Sequence, residues 1–302
     1  MKKHPQLTET DEYAHIADEE LDWRESYYFN WVDIDTGISG FSTIGLLPNT
    51  RKREFVFALF HGYEREVYFQ EPEGAFSDDF SESLTDGTLT YKLIEPLKEW
   101  RIIYNGEKLK ADIHWPARFP AYDFGSGSGT SWSGHFEQSG IPHGTIEFPD
   151  GKIVKIKGYG ERDKSWGSRN WHIENWFALH AQFDDVSIGL RRDEVKGKVH
   201  SSGGISKIDG HEPIDVVHVA TETHPEFNVP VGSKTRVIGT DGSEYNIRSK
   251  LITPKSFVRF EREFPGGRTE LYEGMAVHTC KELETTGTGL IEWLFTHPEK
   301  KK

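Results

Sequence analysis

Residues 158 to 171 read Gly-Tyr-Gly-Glu-Arg-Asp-Lys-Ser-Trp-Gly-Ser-Arg-Asn-Trp. This stretch places two tryptophans among several acidic and basic side chains. A surface loop has little use for indole rings, and a buried strand does not readily accommodate unpaired charges. The combination is therefore typical of a site in which carboxylates, guanidinium groups and aromatic rings are held together.

A β-strand over residues 152 to 166 would sort these side chains by alternation. Its two faces would carry Tyr159, Glu161, Asp163 and Ser165 on one side, and Arg162, Lys164 and Trp166 on the other. Carboxyl groups two residues apart repel as anions, and burial beside aromatic rings disfavours their charge, so both effects raise a carboxyl pKa. The pattern thus predicts one protonated carboxyl group. The alternative is a structural ion-pair cluster at a barrel rim, with Arg162 and Arg169 as the cations.

The next stretch, residues 171 to 183, also has two unlike faces if it is extended. One face is apolar and is predicted to join the core: Trp171, Ile173, Phe177, Leu179, Ala181 and Phe183. The other face carries His172, Glu174, Trp176 and His180. A few polar groups between apolar neighbours suit a cavity wall. Alternatively, each histidine is a structural residue with satisfied hydrogen bonds.

Composition and charge exclude several classes of protein. The chain has 302 residues and a net charge of -13, without the basic footprint of a nucleic-acid binder. Cys280 is the only cysteine, which fits a reducing compartment. The sequence shows no signal peptide and no long apolar run, so we expect a cytoplasmic protein without stable membrane insertion. Metal-binding spacings are absent as well, so no metal site is indicated.

Short alternating runs separated by tight-turn signals indicate an all-β protein built of antiparallel strands. Asp-Gly or Asn-Gly pairs at 105–106, 150–151, 209–210 and 241–242 are strong hairpin signals. A helix is expected only at Asp18 to Trp23, with Asp18 as its cap. The Gly/Ser run at 125–129 resembles a flexible linker, which predicts domains at residues 1–124 and 130–302.

The stretch 158–171 resembles the G-x-G-x-R-D-[HK]-S-W-G-x-R-x-W signature of the AttH-like proteins, relatives of the carotenoid 1,2-hydratases. Four further segments resemble this family: Ser26–Trp31, His135–Gly140, Tyr272–Gly274 and Gly287–Glu292. The resemblance implies two lipocalin-like antiparallel β-barrels packed together, the second of which carries the signature, and a ligand cavity. Lys164 stands where the family commonly has histidine, so no proton transfer is assigned to it.

The resemblance also implies a cofactor-independent reaction on a hydrophobic small molecule of isoprenoid or terpenoid type. Hydration, dehydration, isomerisation or cyclisation would begin with protonation of an alkene or tertiary alcohol. Asp163 resembles the family's catalytic acid, Glu161 would raise its pKa, and Arg162 and Arg169 would orient the carboxylates. The predicted substrate-binding residues are Tyr159, Trp166, Trp171, Trp176, Trp132, His172, His180 and Glu174, whose aromatic members could stabilise a carbocation.

Two other classes of protein remain open at this level. A lipocalin-like barrel can hold a lipid or terpenoid without chemistry, as an intracellular carrier. A structural or interaction protein could use the aromatic rim for contacts, and a homodimer is possible in either case. A neutral carboxylic acid among tryptophan rings distinguishes an enzyme from a carrier, because a carrier does not need one.

Overall fold

The computed structural model describes residues 7–74, 79–124, 132–169 and 173–299. Within them the chain is built of twenty-one β-strands, so the all-β class is confirmed. The first twelve strands are β1 (Trp23–Asp33), β2 (Ile38–Leu47), β3 (Lys52–His61), β4 (Glu64–Gln70), β5 (Leu89–Glu95), β6 (Glu99–Asn105), β7 (Lys110–Pro116), β8 (Tyr122–Asp123), β9 (Gly134–Gly140), β10 (His143–Glu147), β11 (Ile153–Lys157) and β12 (Gly160–Ser168). The remaining nine are β13 (Asn175–Gln182), β14 (Ser187–Val195), β15 (Lys198–Lys207), β16 (Gly210–Thr223), β17 (Pro230–Gly239), β18 (Glu244–Leu251), β19 (Phe257–Phe264), β20 (Gly267–Cys280) and β21 (Thr285–Pro298).

Helical structure is limited to short turns in the described residues. Two 3₁₀ turns cover Glu9–Glu12 and Pro48–Thr50, and one α-helical turn, α1, covers Phe80–Ser83. No helix in this part of the chain is both long and apolar enough to cross a membrane.

The chain divides into two compact units, residues 1–169 and 170–302. This division lies well after the boundary predicted at 125–129, and the signature segment up to Arg169 belongs to the first unit. The reason is strand pairing: β12 pairs with β1 on one side and β9 on the other. The Gly/Ser run itself lies outside the described residues.

The first unit contains two antiparallel sheets around one core. The larger has the order β4-β3-β2-β1-β12-β9-β8, and the smaller has the order β11-β10-β7-β6-β5. Trp31, Trp100 and Trp115 are fully buried in the shared core. Among the described strands, isolated bridges such as Val32–Tyr159 supplement the two sheets but do not join them into one continuous ladder.

The second unit contains a closed antiparallel barrel of eight strands. Its order is β18-β17-β16-β15-β14-β13-β21-β20, and pairing of β18 with β20 completes the circle, while β19 adds to β20. The apolar face predicted for β13 and the residue after it lies in this core, through Phe177, Leu179, Ala181 and Phe183.

The prediction of a helix at Asp18 to Trp23 is wrong. Residues 14 to 20 are without helix, and Trp23 already begins β1. The Asp18 carboxylate accepts a hydrogen bond from the Glu20 backbone N–H, at 2.9 Å, as it would in a local turn. The Asn49 side chain donates hydrogen bonds to the backbone carbonyl groups of Asp18 and Glu20, both at 2.7 Å. These carbonyl groups therefore accept from a side chain and not from the backbone N–H groups of a helix.

The segment before β1 is anchored to β12 through a buried ion pair. Glu12 is completely buried, and its carboxylate accepts two hydrogen bonds from the Arg162 guanidinium, at 2.6 and 3.0 Å. Gln138 on β9 accepts two more, at 2.6 and 2.9 Å. The buried guanidinium of Arg162 thus donates hydrogen bonds to Glu12 and Gln138. A buried charge is tolerated when it is paired and hydrogen-bonded in this way.

Two further contacts join the same face of β12 to the N-terminal segment and β1. The ammonium of Lys164 contacts the Glu25 carboxylate, and burial lowers the pKa of Lys164 well below its usual range. His15 stacks on the Trp166 ring with centroids 3.8 Å apart and hydrogen-bonds Glu25 at 2.9 Å. Burial, and to a lesser degree the charge of Lys164, lowers the pKa of His15 to about 4, so the stacked imidazole is neutral near pH 7.

The glycines that open the signature segment allow close contact with β1. A Cβ atom at Gly158 would lie 1.9 Å from the Val32 carbonyl oxygen, and one at Gly160 would lie 2.1 Å from that of Asn30. Both obstacles are backbone atoms, so a side chain could be accommodated only if the strands moved apart.

We predict that Gly160→Ala destabilises the protein by about 1–3 kcal/mol, because overpacking shifts the paired backbone. Thermal unfolding followed by circular dichroism measures this, with Lys157→Ala, at an exposed position on β11, as the control. A melting temperature within about 1 °C of the control would contradict the crowding argument.

We also predict that Glu12→Gln lowers the free energy of unfolding by about 3 kcal/mol, because Arg162 keeps its charge in a buried place. Glu9→Gln changes an exposed residue of the same turn and should have little effect. Urea unfolding measures both variants. Equal midpoints would show that Gln138 alone satisfies the guanidinium.

Candidate active site

The opposite face of β12 brings three carboxyl groups together. Glu161 and Asp163 lie on it two residues apart, and Glu137 on β9 is paired directly with Asp163. Directly paired residues have Cβ atoms about 4.5–5.5 Å apart, closer than residues i and i+2 on one strand. We call Glu137, Glu161 and Asp163 the acid face.

The acid face lies on the side of the larger sheet away from the core of the first unit. On β1, Tyr27 and Phe29 belong to that core, whereas Tyr28, between them, points to the other side and is paired with Asp163. Glu161 is fully buried, Glu137 is 2% exposed, and Asp163 is only partly buried. Asp163 is therefore the most accessible of the three carboxyl groups.

Tyr122 on β8 interacts with two of the three carboxyl groups, those of Glu137 and Glu161. Its hydroxyl donates a hydrogen bond to Glu137 Oε2 at 2.7 Å. Burial, followed by the negative charges of Glu137 and Glu161, raises the pKa of Tyr122 well above its usual range. Tyr122 consequently keeps its proton and acts as a hydrogen-bond donor to Glu137. His135 Nε2 lies 3.6 Å from the other oxygen, Glu137 Oε1.

A short chain of hydrogen bonds leads to Asp163. Arg169 is buried, and its Nη2 donates to Ser165 Oγ at 3.0 Å. Ser165 Oγ lies 3.4 Å from Asp163 Oδ1, to which it donates. Ser165 thus connects the Arg169 guanidinium to the accessible carboxyl group.

Aromatic rings lie beside the acid face. Tyr122, Phe124 and Trp132 form a buried cluster, and the His135 ring lies 4.6 Å from Trp132 and 4.4 Å from Phe124. Of the predicted tryptophans among the described residues, Trp132 is the one placed in this group. Tyr159, also predicted, lies under the Arg118 guanidinium, 4.3 Å from it, one alternation from Glu161.

Arg162 and Trp166 are placed on the opposite face from Asp163. Arg162 binds Glu12, and Trp166 stacks on His15, so neither side chain lies on the acid face. Their separation from Glu161 and Asp163 agrees with the alternation read from the sequence. It also means that the acid face is not a rim cluster neutralised by Arg162.

Among the described residues, three predicted site residues lie in the second unit: Glu174, Trp176 and His180. Trp176 Nε1 donates to Glu292 at 2.6 Å, and the Arg191 guanidinium lies 4.1 Å from the Trp176 ring. His180 is buried on the same face of β13. Glu174 accepts a hydrogen bond at 3.1 Å from the backbone N–H of Gly197, which lies in the turn between β14 and β15. Trp171 and His172 lie outside the described residues.

Several residues of this site were not predicted: Tyr28, Tyr122, Phe124, His135, Glu137 and Ser165. The signal for two of them was present, because alternation over residues 135 to 139 puts His135 and Glu137 on one face. The pairing of this segment with β12 was not visible, so the two carboxylate-bearing segments could not be joined. Among the described residues, no group of three or more His, Cys, Asp or Glu side chains is placed to hold a metal ion.

Several solved structures share this fold. The kievitone hydratase of Nectria haematococca matches with a TM-score of 0.68 and 12% identity, over 89% of this chain and 88% of that one. A candidate AttH of Nitrosomonas europaea matches with a TM-score of 0.69 and 15% identity, over 97% of both chains. CghA, solved with Sch210972, matches with a TM-score of 0.64 and 9% identity, over 96% of this chain and 95% of that one.

The all-β fold expected from the AttH-like resemblance is thereby confirmed, although the described strands of the first unit form two sheets and not one closed barrel. Comparison with curated proteins gave no significant match. A family model described as a domain of unknown function (DUF7064) matches residues 8–296, which is nearly the whole chain, so the chain belongs to the DUF7064 family.

Proposed function

We propose that this protein is an acid–base enzyme of the hydratase or dehydratase type, acting on an alkene or tertiary alcohol within a hydrophobic substrate. The observation that carries the proposal is the acid face: three carboxyl groups on adjoining strands, two of them buried, with aromatic rings beside them. The cluster can donate a proton near neutral pH only if one of its three carboxyl groups stays protonated.

The crowding of the carboxyl groups supplies the reason for that neutrality. Three negative charges within one side-chain layer repel each other, and burial removes the water that would screen them. The cluster therefore lowers its energy by retaining a proton. Asp163 is the proposed donor, because it is the member of the three that a substrate can reach and it accepts a hydrogen bond from Ser165.

Protonating an alkene, or a tertiary alcohol that then leaves as water, creates a carbocation. The rings of Tyr28 and Trp132 are proposed to stabilise it, because the face of an aromatic ring attracts a cation. Buried carboxylates close to the reacting carbon would add electrostatic stabilisation. Addition of water to the cation gives hydration, and loss of a neighbouring proton gives isomerisation or dehydration.

The structural neighbours support this class of reaction by analogy, since one of them is named as a hydratase. A shared fold does not carry a substrate with it. The isoprenoid or terpenoid nature of the substrate is proposed from the chemistry, because branched alkenes form the most stable cations.

We predict that Asp163→Asn reduces turnover by about 10² or more, since the amide keeps the shape but cannot act as an acid. Asp112→Asn, which alters a partly exposed ion pair with Arg101 in the same unit, should keep full turnover. The assay uses geraniol, linalool and a prenylated phenol in heavy water, and mass spectrometry follows deuterium entering the product.

Undiminished turnover in Asp163→Asn would remove Asp163 from the mechanism. If wild-type protein binds these probes but converts none of them, and no deuterium enters them, the acid–base proposal fails and the carrier function is favoured.

A further inference from the structure

We propose that β4 is the interface of a homodimer, in which the β4 strands of two copies pair antiparallel and join their larger sheets into one. The contact is centred on Tyr68, which lies opposite Tyr68 of the second copy at the twofold axis. The dimer does not depend on the proposed function. Three features of β4 support it: its open edge, the exposed apolar residues Val67 and Phe69, and the order of the charges around them.

The edge of β4 is accessible to another strand. β4 lies at one end of the larger sheet, and β3 is its only neighbour among the described strands. Most of its side chains are exposed, including Val67 at 39% and Phe69 at 52%. An open edge presents a row of backbone donors and acceptors with which a further strand can pair. Exposed apolar side chains beside that row add surface that the partner would bury.

Two backbone hydrogen bonds show which residues of β4 direct their backbone groups to the open edge. The Arg53 N–H donates to the Pro72 carbonyl at 3.2 Å, and the Gly74 N–H donates to the Arg51 carbonyl at 3.0 Å. Both bonds continue the register of the β3–β4 ladder past the end of β4. Because backbone bonding alternates along an antiparallel ladder, even-numbered residues here bond to β3. The N–H and C=O groups of the odd-numbered residues therefore face the open edge.

One antiparallel register makes this segment complementary to itself. With Tyr68 at the twofold axis, Val67 pairs with Phe69 and Arg65 pairs with Glu71, and symmetry repeats both pairs. All four of these residues are odd-numbered, so their outward backbone groups can bond to one another. Apolar and opposite-charge pairs across strands stabilise a sheet. A shift by two residues in either direction would place Arg65 opposite Phe69 or Val67 opposite Glu71, so the sequence favours this register.

The other edge strands of the first unit have features that oppose such pairing. β8 has only two residues, the pairing of β5 is irregular between Leu93 and Glu95, and β11 carries Lys155 and Lys157. Short strands, bulges and lysines are common protections of exposed edges. β4 pairs with β3 without a register shift, and its seven residues include neither Lys nor Pro. Among these edges, β4 is therefore the one best suited to pairing with a second copy.

Sedimentation velocity of the full chain tests the dimer. We expect wild-type protein to change from monomer to dimer between about 1 and 100 µM, because a contact made by one pair of strands is small. Val67→Pro removes an N–H that faces the open edge and keeps the bonds of β4 to β3. It should raise the dissociation constant about tenfold or more, because that hydrogen bond is lost in both copies. Ile153→Lys, at an exposed position on the edge strand β11, is the control and should leave the dissociation constant unchanged.

Charge reversal tests the register without a proline. Arg65→Glu places carboxylates opposite each other when two identical copies pair, and Glu71→Arg places guanidinium groups opposite each other. Each variant alone should therefore be monomeric at concentrations at which wild type is dimeric. An equimolar mixture of the two variants should form dimers again, because every mixed pair has opposite charges at both contacts. Circular dichroism checks that each variant keeps the fold.

Three results would overturn the proposal. The first is a wild-type protein that remains monomeric at about 100 µM. The second is a dimer whose dissociation constant Val67→Pro leaves unchanged, since the contact would then lie elsewhere on the chain. The third is a mixture of the two charge variants that stays monomeric, because Arg65 and Glu71 would then not be paired across the interface. Dimers that form in the mixture but in neither variant alone would support pairing of β4 in this register.

Discussion

The pairing of β12 between β1 and β9 is the constraint on which the rest of the first unit depends. Side chains alternate along a strand, so a single register decides what lies on each face. In this register Arg162 meets Glu12 on one face, and Asp163 meets Glu137 on the other. A slip by one residue would exchange the faces and place Asp163 in the interior opposite Glu12. The buried Arg162–Glu12 pair therefore fixes the strand that presents the acid face.

Much of this arrangement could be predicted from local sequence. The alternation of acidic and basic residues in 158–171 placed Glu161 and Asp163 together and Arg162 and Trp166 apart from them. The apolar face of β13 was equally visible, because its period of two is regular through Phe183. These features depend on neighbours in the sequence, which is why reasoning from the sequence could predict them.

The features that could not be predicted depend on pairing between distant segments. Nothing in the residues around Trp166 names His15 as its stacking partner, and nothing around Asp163 names Glu137. The Gly/Ser run at 125–129 has the composition of a linker, but composition does not say whether the strands on either side belong to one sheet. Here β12 pairs with β1, and β9 pairs with β12, so the division of the chain falls after Arg169. The helix prediction at Asp18 was wrong for a related reason, since the turn there is held by the side chain of the distant residue Asn49.

Closure of the barrel in the second unit affects how its backbone amides become exposed to solvent by unfolding. Every strand of that circle has two hydrogen-bonded neighbours, so none can detach without breaking two ladders. In the described part of the chain, the sheets of the first unit end at β4, β5, β8 and β11, each of which has one neighbouring strand. Amide hydrogens on these edge strands will exchange with deuterium through local fraying, whereas those of the closed barrel will exchange largely in one cooperative event. The two units of one chain thus differ in how their native states fluctuate, and the acid face belongs to the unit with open edges.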